Sequence, residues 1–249
     1  MDLSYAMVTG ASRGIGREVS RLLANAGFPL ILVAHNQNEA LQEVAEDCRD
    51  VLVPATGLLP EEAVLTYLCD LSDAAQVRKL FSDLRKRGIG KRDTCWDTVG
   101  VLINNAGIAH YGLVQDMSDE DWMHVIGVNL NSMFYTCREV VPMMVYEHKG
   151  VIVNVSSYWG EQGAACESAY AASKGGVNAF TRSLKEELSY SGVQVSLVAP
   201  EFVDTQMNAH LTKEECLEAA LSMPSGRIWT AAEVAEEIVS HVTGSASVQ

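Results

Sequence analysis

Short apolar runs recur along the chain, separated by longer stretches whose apolar positions fall three and four residues apart. The runs are Tyr5-Ala6-Met7-Val8, Leu30-Ile31-Leu32-Val33-Ala34, Val64-Leu65-Thr66-Tyr67-Leu68, Val101-Leu102-Ile103, Val151 to Ser157 and Val193 to Ala199. Runs as apolar as Leu30–Ala34 suit strands covered on both faces, the setting of a parallel sheet. The periodic stretches predict helices from Gly14 to Ala26, Asn38 to Arg49, Ser72 to Arg87, Ser118 to Asn129, Asn131 to Glu147, around Tyr170, and from Thr230 to His241. Thr230 is the expected cap of the last helix. Val51 to Pro60 reads as an irregular apolar loop and Gly88 to Asp97 as a polar excursion. Glu201 to Met223 reads as short amphipathic helices past a strand end, a natural lid. Six strands alternating with helices give an α/β fold, one doubly wound parallel sheet with helices on both faces. With no repeat, low-complexity tract or linker, residues 1–249 form one expected domain.

Composition narrows the partners. The 249 residues carry a net charge of −14 with a pI near 4.8, which argues against nucleic acid and against broad attraction to an anionic membrane. The six cysteines form no C-x-x-C pair and, with the six histidines, no zinc spacing, so no metal is expected and the thiols are read as reduced. No signal peptide, transit segment or membrane span is legible. A cytoplasmic protein is expected, with the mitochondrial matrix as the alternative if a leader has been cleaved or omitted.

The chemistry centres on Tyr170-Ala171-Ala172-Ser173-Lys174. Residues four apart share a helix face, and an ammonium beside a phenol is expected to pull the phenol pKa down towards neutral. Ser157, at the end of the fifth apolar run, can converge with Tyr170 on a carbonyl oxygen. Near the N-terminus, strand, glycine turn (Gly10, Gly14, Gly16) and helix follow one another, the context in which backbone N–H groups hold a pyrophosphate. After the second strand stand Ala34-His35-Asn36-Gln37, with no carboxylate to accept from a ribose hydroxyl. Arg13 in the glycine turn can reach a 2′-phosphate. Both features favour NADP(H) over NAD(H), although His35 reads almost equally well as a solvated loop residue. Asp70 suits an adenine amino group or a helix cap. Ala106-Gly107 lets a ring pack on the backbone, and Asn129 interrupts an apolar helix where it can hold a water. Arg85, Lys86, Arg87, Lys91 and Arg92 make the one dense basic cluster, read as a solvated helix end.

Thr9-Gly10-x3-Gly14-x-Gly16, Asp70, Asn104-Asn105-Ala106-Gly107, Asn129, Ser157 and Tyr170-x3-Lys174, in this order, resemble the short-chain dehydrogenase/reductase family over almost the whole chain. Within it the sequence is most similar to the 3-oxoacyl-acyl-carrier-protein reductases, through Asn105–Ile108, Met117–Trp122, Tyr170–Gly176 and Met223–Arg227. The insertions before the third and fourth strands, with the early C-terminus, look like the divergent fungal mitochondrial members. The resemblance implies a Rossmann-like fold whose last strand is short or missing. It implies that Tyr170 donates a proton to the substrate oxygen, Lys174 binds the nicotinamide ribose, Ser157 holds the carbonyl and Asn129 fixes a water. Cofactor contacts are implied at Gly10, Ser12, Arg13, Gly14, Ile15, Gly16, His35, Asn36, Asp70, Leu71, Asn105, Ala106, Gly107, Tyr170, Lys174, Pro200, Val203 and Thr205. Substrate contacts are assigned to His110, Trp159, Glu201 and Met207, beside Tyr111, Glu161 and Gln162.

Three departures from the family pattern matter. Pro200-Glu201 stands where the family has Pro-Gly, so a carboxylate near the mouth would disfavour an acidic substrate or else point to solvent. The chain ends at Ser247-Val248-Gln249, with Ser245–Gln249 as at most a stub of a seventh strand. A homodimer through the helices of Met133–Glu147 and Ala169–Ser189 is therefore expected, a tetramer being the alternative. His148 and Ser191 are read beside the pocket where carrier-protein reductases tend to have Arg, which weakens the case for an acidic acyl carrier protein. The leading reading is NADPH-dependent reduction of a 3-oxoacyl thioester, as in fatty acid biosynthesis. The alternatives are the same reaction on a free ketone, quinone, sugar or polyketide, and a non-catalytic NADP-binding sensor or scaffold.

Overall fold

The computed structural model describes residues 4–36, 38–88, 99–209 and 211–244. Its strands are β1 (Tyr5–Thr9), β2 (Leu30–Ala34), β3 (Val64–Leu68), β4 (Val99–Asn104), β5 (Gly150–Val155) and β6 (Val193–Val198). They pair in parallel in the order β3-β2-β1-β4-β5-β6. The helices are α1 (Gly14–Asn25), α2 (Asn38–Thr56), α3 (Pro60–Ala63), α4 (Ala74–Lys86), α5 (Asp119–Ile126), α6 (Ser132–Tyr146), α7 (Trp159–Gln162), α8 (Ser168–Glu187), α9 (Lys213–Leu221) and α10 (Ala231–Thr243). No helix among the described residues is long and apolar enough to cross a membrane.

The period of two along each strand divides the core. Ala6, Val8, Leu30, Leu32, Ile103 and Val153 face one way and pack with residues of α1, α2 and α10. Met7, Ile31, Val33, Leu102, Ile152 and Val195 face the other way and pack with α4, α6 and α8. Both faces are thus covered, and strand order reverses between β1 and β4. The carboxyl ends of those strands form the crevice where such sheets bind ligands.

A buried polar chain sets α8 against the sheet. Thr136 Oγ1 donates to Asn104 Oδ1 at 2.8 Å, Asn104 Nδ2 donates to Asn154 Oδ1 at 2.9 Å, and Asn154 Nδ2 donates to Thr181 Oγ1 at 2.9 Å. Their exposure is at most 3%. Each such bond contributes about 1 kcal/mol, while an orphaned buried partner costs more, so the chain fixes α6, β4, β5 and α8 in one register.

Several expectations are corrected. Val51–Thr56 is not loop but the last turns of α2, with Pro54 inside the helix, and α3 follows. The helix after β3 is capped by Asp73, which accepts from Ala75 N and Gln76 N, so Asp70 is not its cap. Strand β5 stops at Val155 and leaves Ser157 just beyond its end. Asn129 lies in a π-helical turn, Gly127–Asn131, between α5 and α6. The lid region contains a two-residue strand β7 (Val203–Asp204) paired with β8 (Trp229–Thr230), a 3-10 turn Gln206–Asn208, and α9. Thr230 caps α10 as expected, in a capping box with Glu233. The excursion containing Lys91 and Arg92 and the residues 245–249 lie outside the described residues.

Candidate active site

The glycine turn is built by exclusion. Gly10 has φ +66° and Gly14 φ +55°, where a side chain is strained. A Cβ on Gly16 would stand 2.2 Å from Gly10 O and 2.6 Å from Asn105 Nδ2. The end of β4 is tied to this turn: Asn105 Nδ2 donates to Thr9 O at 3.0 Å, and Thr9 Oγ1 accepts from Asn105 N at 2.9 Å and Ala106 N at 3.1 Å. Arg13 occupies the N-cap of α1 without a side-chain cap, and no acidic residue stands in the first turn. The N–H groups of that turn therefore face the crevice with their dipole unopposed, which fits a nucleotide pyrophosphate. Gly16→Ala is expected to cost about 1–3 kcal/mol of stability by overpacking backbone against backbone, and to weaken NADPH binding with it. Thermal unfolding and a fluorescence titration check this, and unchanged values in both would contradict it.

The residues flanking the turn are placed as follows. Ser12, Leu71 and Val203 are buried, Ile15 packs onto the core beneath the turn, and His35 and Asn36 are exposed past β2. Asp70 Oδ1 accepts from Ser72 N and Oγ at 2.9 and 2.7 Å, while its Oδ2 lies 4.0 Å from His35 Nε2. Arg13 Nη1 donates to Gln206 Oε1 at 2.8 Å, and Thr205 Cγ2 would lie 3.6 Å from a Cβ on Gly14. The start of the lid thus rests on the glycine turn.

Past β4 and β5, four groups converge. Tyr170 and Lys174 lie on one face of α8, with Lys174 Nζ 5.8 Å from the Tyr170 ring centroid. The Ser157 hydroxyl lies near enough to the Tyr170 phenol to favour its ionised form. Asn129 Oδ1 accepts from Ile108 N at 2.8 Å, and its Nδ2 donates to Ile108 O and to Ser173 Oγ, both at 2.9 Å. A Cβ on Gly107 would stand 3.4 Å from Asn129 Oδ1 and 3.5 Å from Lys174 Nζ, so both groups look onto the same patch of backbone. Asn129 therefore also clasps the loop after β4 against α8.

The electrostatics correct one expectation. The Tyr170 phenol is not pulled towards neutral. Burial pushes it up to about 12, the Ser157 hydroxyl opposes this, and Glu167 adds to the rise. Burial also lowers Lys174 to about 8. Lys174 Nζ donates to Val155 O at 2.9 Å, so its first partner is the end of β5 and not the phenol. Spacing on a helix placed the pair correctly, but burial decided the sign. A phenol held protonated is suited to give a proton, not to take one.

Three loops close the mouth. Gly112 N donates to Cys166 O at 2.7 Å. The Tyr111 phenol is raised by its hydrogen bond with Cys166, and the charges of Glu167 and Glu215 push the same way. Trp159 packs beside Phe202, Ala220 and Met223, bringing α7 under the lid. Met207 is exposed on the lid, and Glu161 and Gln162 belong to α7. His110 Nδ1 points towards α5, 3.9 Å from Asp121 Oδ1. Glu201 is half-exposed, and its carboxylate accepts from Ser225 N at 3.0 Å and from Ser225 Oγ. His148 and Ser191 are not beside the pocket. They sit in the turns before β5 and β6, where Gly192 packs on His148 O, at the amino ends of the strands. Sequence reasoning missed Ser173, Gln206 and Ser225 as partners. Ser173 lies inside the Tyr170–Lys174 motif and Ser225 inside the Met223–Arg227 stretch, whereas Gln206 carried no signal.

The sequence model of the short chain dehydrogenase family matches residues 4–216. The chain is 38% identical over 234 residues to carbonyl reductase family member 4 of Danio rerio, covering 94% of this chain and 89% of that one. It is 34% identical over 252 residues to the 3-oxoacyl-[acyl-carrier-protein] reductase of Thermotoga maritima, covering 98% and 95%. A solved variant of actinorhodin polyketide ketoreductase with NADPH superposes with a TM-score of 0.83 at 29% identity, covering 100% of this chain and 94% of that one.

Proposed function

The chain belongs to the short chain dehydrogenase family of oxidoreductases, and from that premise we propose that it uses NADPH to reduce the ketone of a 3-oxoacyl thioester to a secondary alcohol. The observation that carries the reading is the convergence of a buried, protonated Tyr170 with Ser157 and Lys174 past the carboxyl ends of β4 and β5. Bound NADPH supplies the hydride. The chain's own residues do the rest. Ser157 and Tyr170 bind the carbonyl oxygen, and Tyr170 gives it a proton as negative charge develops there. Lys174 orients the nicotinamide ribose and, while charged, steadies the phenolate that remains. Asn129 holds the loop after β4 against α8, and through it Gly107 beside the ring. Gly10, Gly14, Gly16 and the N-terminus of α1 take the pyrophosphate, with Asp70 and Leu71 on the adenine side and Pro200, Val203 and Thr205 at the lid. The absence of a carboxylate after β2, Arg13 in the turn, and NADPH in the solved ketoreductase all support the phosphorylated cofactor.

A second reading, the same reaction on an uncharged free ketone, is favoured by the mouth. Residues 105–118, 156–168 and 201–226 carry Asp116, Glu161, Glu167, Glu201, Asp204, Glu214, Glu215 and Glu218 against Lys213 as their one Lys or Arg. Tyr111, Leu113 and Val114 on one side, and Leu217 and Leu221 on the other, are exposed apolar groups. Such a rim repels phosphates and accepts an apolar body. The test follows NADPH oxidation with acetoacetyl-CoA, with its neutral N-acetylcysteamine thioester and with simple ketones, at low and high salt. Thioester turnover supports the leading reading, and repulsion by the rim predicts that acetoacetyl-CoA alone improves as salt rises. Silence on both thioesters with turnover of ketones would replace it with the second.

A further inference from the structure

The lid is closed at its stem by a set of contacts that the reaction does not use. Glu201, just past β6, accepts from Ser225 N at 3.0 Å and from Ser225 Oγ. Ser225 Oγ in turn accepts from Trp229 Nε1 at 3.1 Å. Trp229 N donates to Phe202 O at 2.8 Å, and Val203 pairs with Trp229 where β7 meets β8. Arg227 stacks on the Trp229 ring with its Cζ 3.7 Å from the centroid, and its Nη1 lies 2.6 Å from Glu233 Oε1 in the capping box of α10. The two ends of the segment 205–223 are thereby pinned to each other and to the first turn of α10. On the strand side, Pro200 O accepts from Tyr158 N at 2.9 Å, which ties the same stem to the loop carrying Ser157.

Between its pinned ends the lid touches the nucleotide crevice at two points, Gln206 on Arg13 and Thr205 beside Gly14. Its apolar underside, Leu211, Cys216, Ala219, Ala220 and Met223, packs on Phe202 and Trp159. The stem and these contacts together hold the lid over the crevice. The Glu201 carboxylate joins the end of β6 directly to Ser225 beyond the lid, by bonds to both its N–H and its hydroxyl.

We propose that Glu201 is a positioning residue: with Ser225 it closes the stem of a lid, residues 205–223, and so holds Thr205 and Gln206 against the glycine turn that takes NADPH. Its effect on the nucleotide rests on the proposed cofactor role of that turn, whereas its effect on the lid does not.

The test measures hydrogen exchange along the chain without nucleotide, and NADPH affinity by fluorescence, in the parent, Glu201→Ala and Glu201→Gln. In Glu201→Ala, exchange across 205–223 is expected to rise about tenfold, with β1, β4 and β5 unchanged, and NADPH dissociation to rise by about the same factor. Glu201→Gln keeps an acceptor for Ser225 and is expected to recover most of the protection. Unchanged lid exchange, or a rise spread evenly over the sheet, would overturn the proposal. Loosening of the lid with unaltered NADPH affinity would overturn the positioning role. Failure of the parent itself to bind NADPH would instead sink the cofactor reading, and lid exchange would still judge the clamp.

Discussion

Tyr170→Phe is expected to cut carbonyl reduction by about 10²–10⁴-fold and to leave NADPH affinity as it is in the parent. The ring is buried, at 9% exposure, and Phe fills the same volume, so packing survives. What is lost is the hydroxyl that lies beside Ser157 and that burial keeps protonated, with a pKa of about 12. A positioned proton donor contributes about 10²–10⁴-fold, and that loss is expected in kcat and in kcat/KM alike because the bond to the developing oxyanion forms only in the transition state. Steady-state rates beside a fluorescence titration of NADPH check both halves. Full turnover in the variant would remove Tyr170 from the mechanism, and loss of NADPH binding would show that the phenol serves the nucleotide instead.

Lys174→Met is expected to destroy activity while releasing stability. The ammonium is buried, at 3% exposure, and burial lowers its pKa from 10.5 to about 8. Between those values the unfolded chain holds a proton that the folded chain does not, so folded stability rises with pH across that window. Below about pH 8 both states are protonated and the folded state carries the full cost, on the order of 3 kcal/mol from the shift. The bond from Lys174 to Val155 O offsets part of it, by about 1–3 kcal/mol. Met removes the charge and keeps the length. The variant should therefore melt no lower than the parent at pH 7, and the parent should gain on it as pH rises from about 8 towards 10.5. Melting curves across that range decide the matter. A variant far less stable at pH 7, with a gap that does not change with pH, would show that the ammonium is well solvated where it stands.

How much of this was legible in the chain depended on the range of the interaction. Strands such as Leu30–Ala34 fell where their apolar runs stood, because burial on both faces leaves a local mark. The end of α2 was missed although Leu41, Val44, Ala45, Cys48 and Leu52 continue the helical period to the end, all buried. Pro54 stands inside the helix, where it omits one backbone bond, and Leu52 beside it is buried. The convergence of Ser157, Tyr170 and Lys174 was legible because helix spacing and a strand end place them. The direction of the Tyr170 shift was not, since it depends on how deeply α8 sinks against β5. Glu201 was visible as an odd residue, but its partner Ser225 lies beyond the whole lid and nothing local links them. His148 and Ser191 were misplaced for a related reason. Residues before a strand and residues after it look alike in sequence, and only the parallel direction of the sheet sends them to opposite ends of the molecule.

The account stands most directly on the fate of the hydride. The measurement is a single turnover with NADPH deuterated at the transferable position, a neutral 3-oxo thioester and the parent protein, followed by mass spectrometry of both products. One deuterium on the carbinol carbon for each NADPH consumed is the predicted result. NADPH that binds yet keeps its label, with this thioester and with every ketone tried, would contradict it and leave a nucleotide-binding module in place of a reductase.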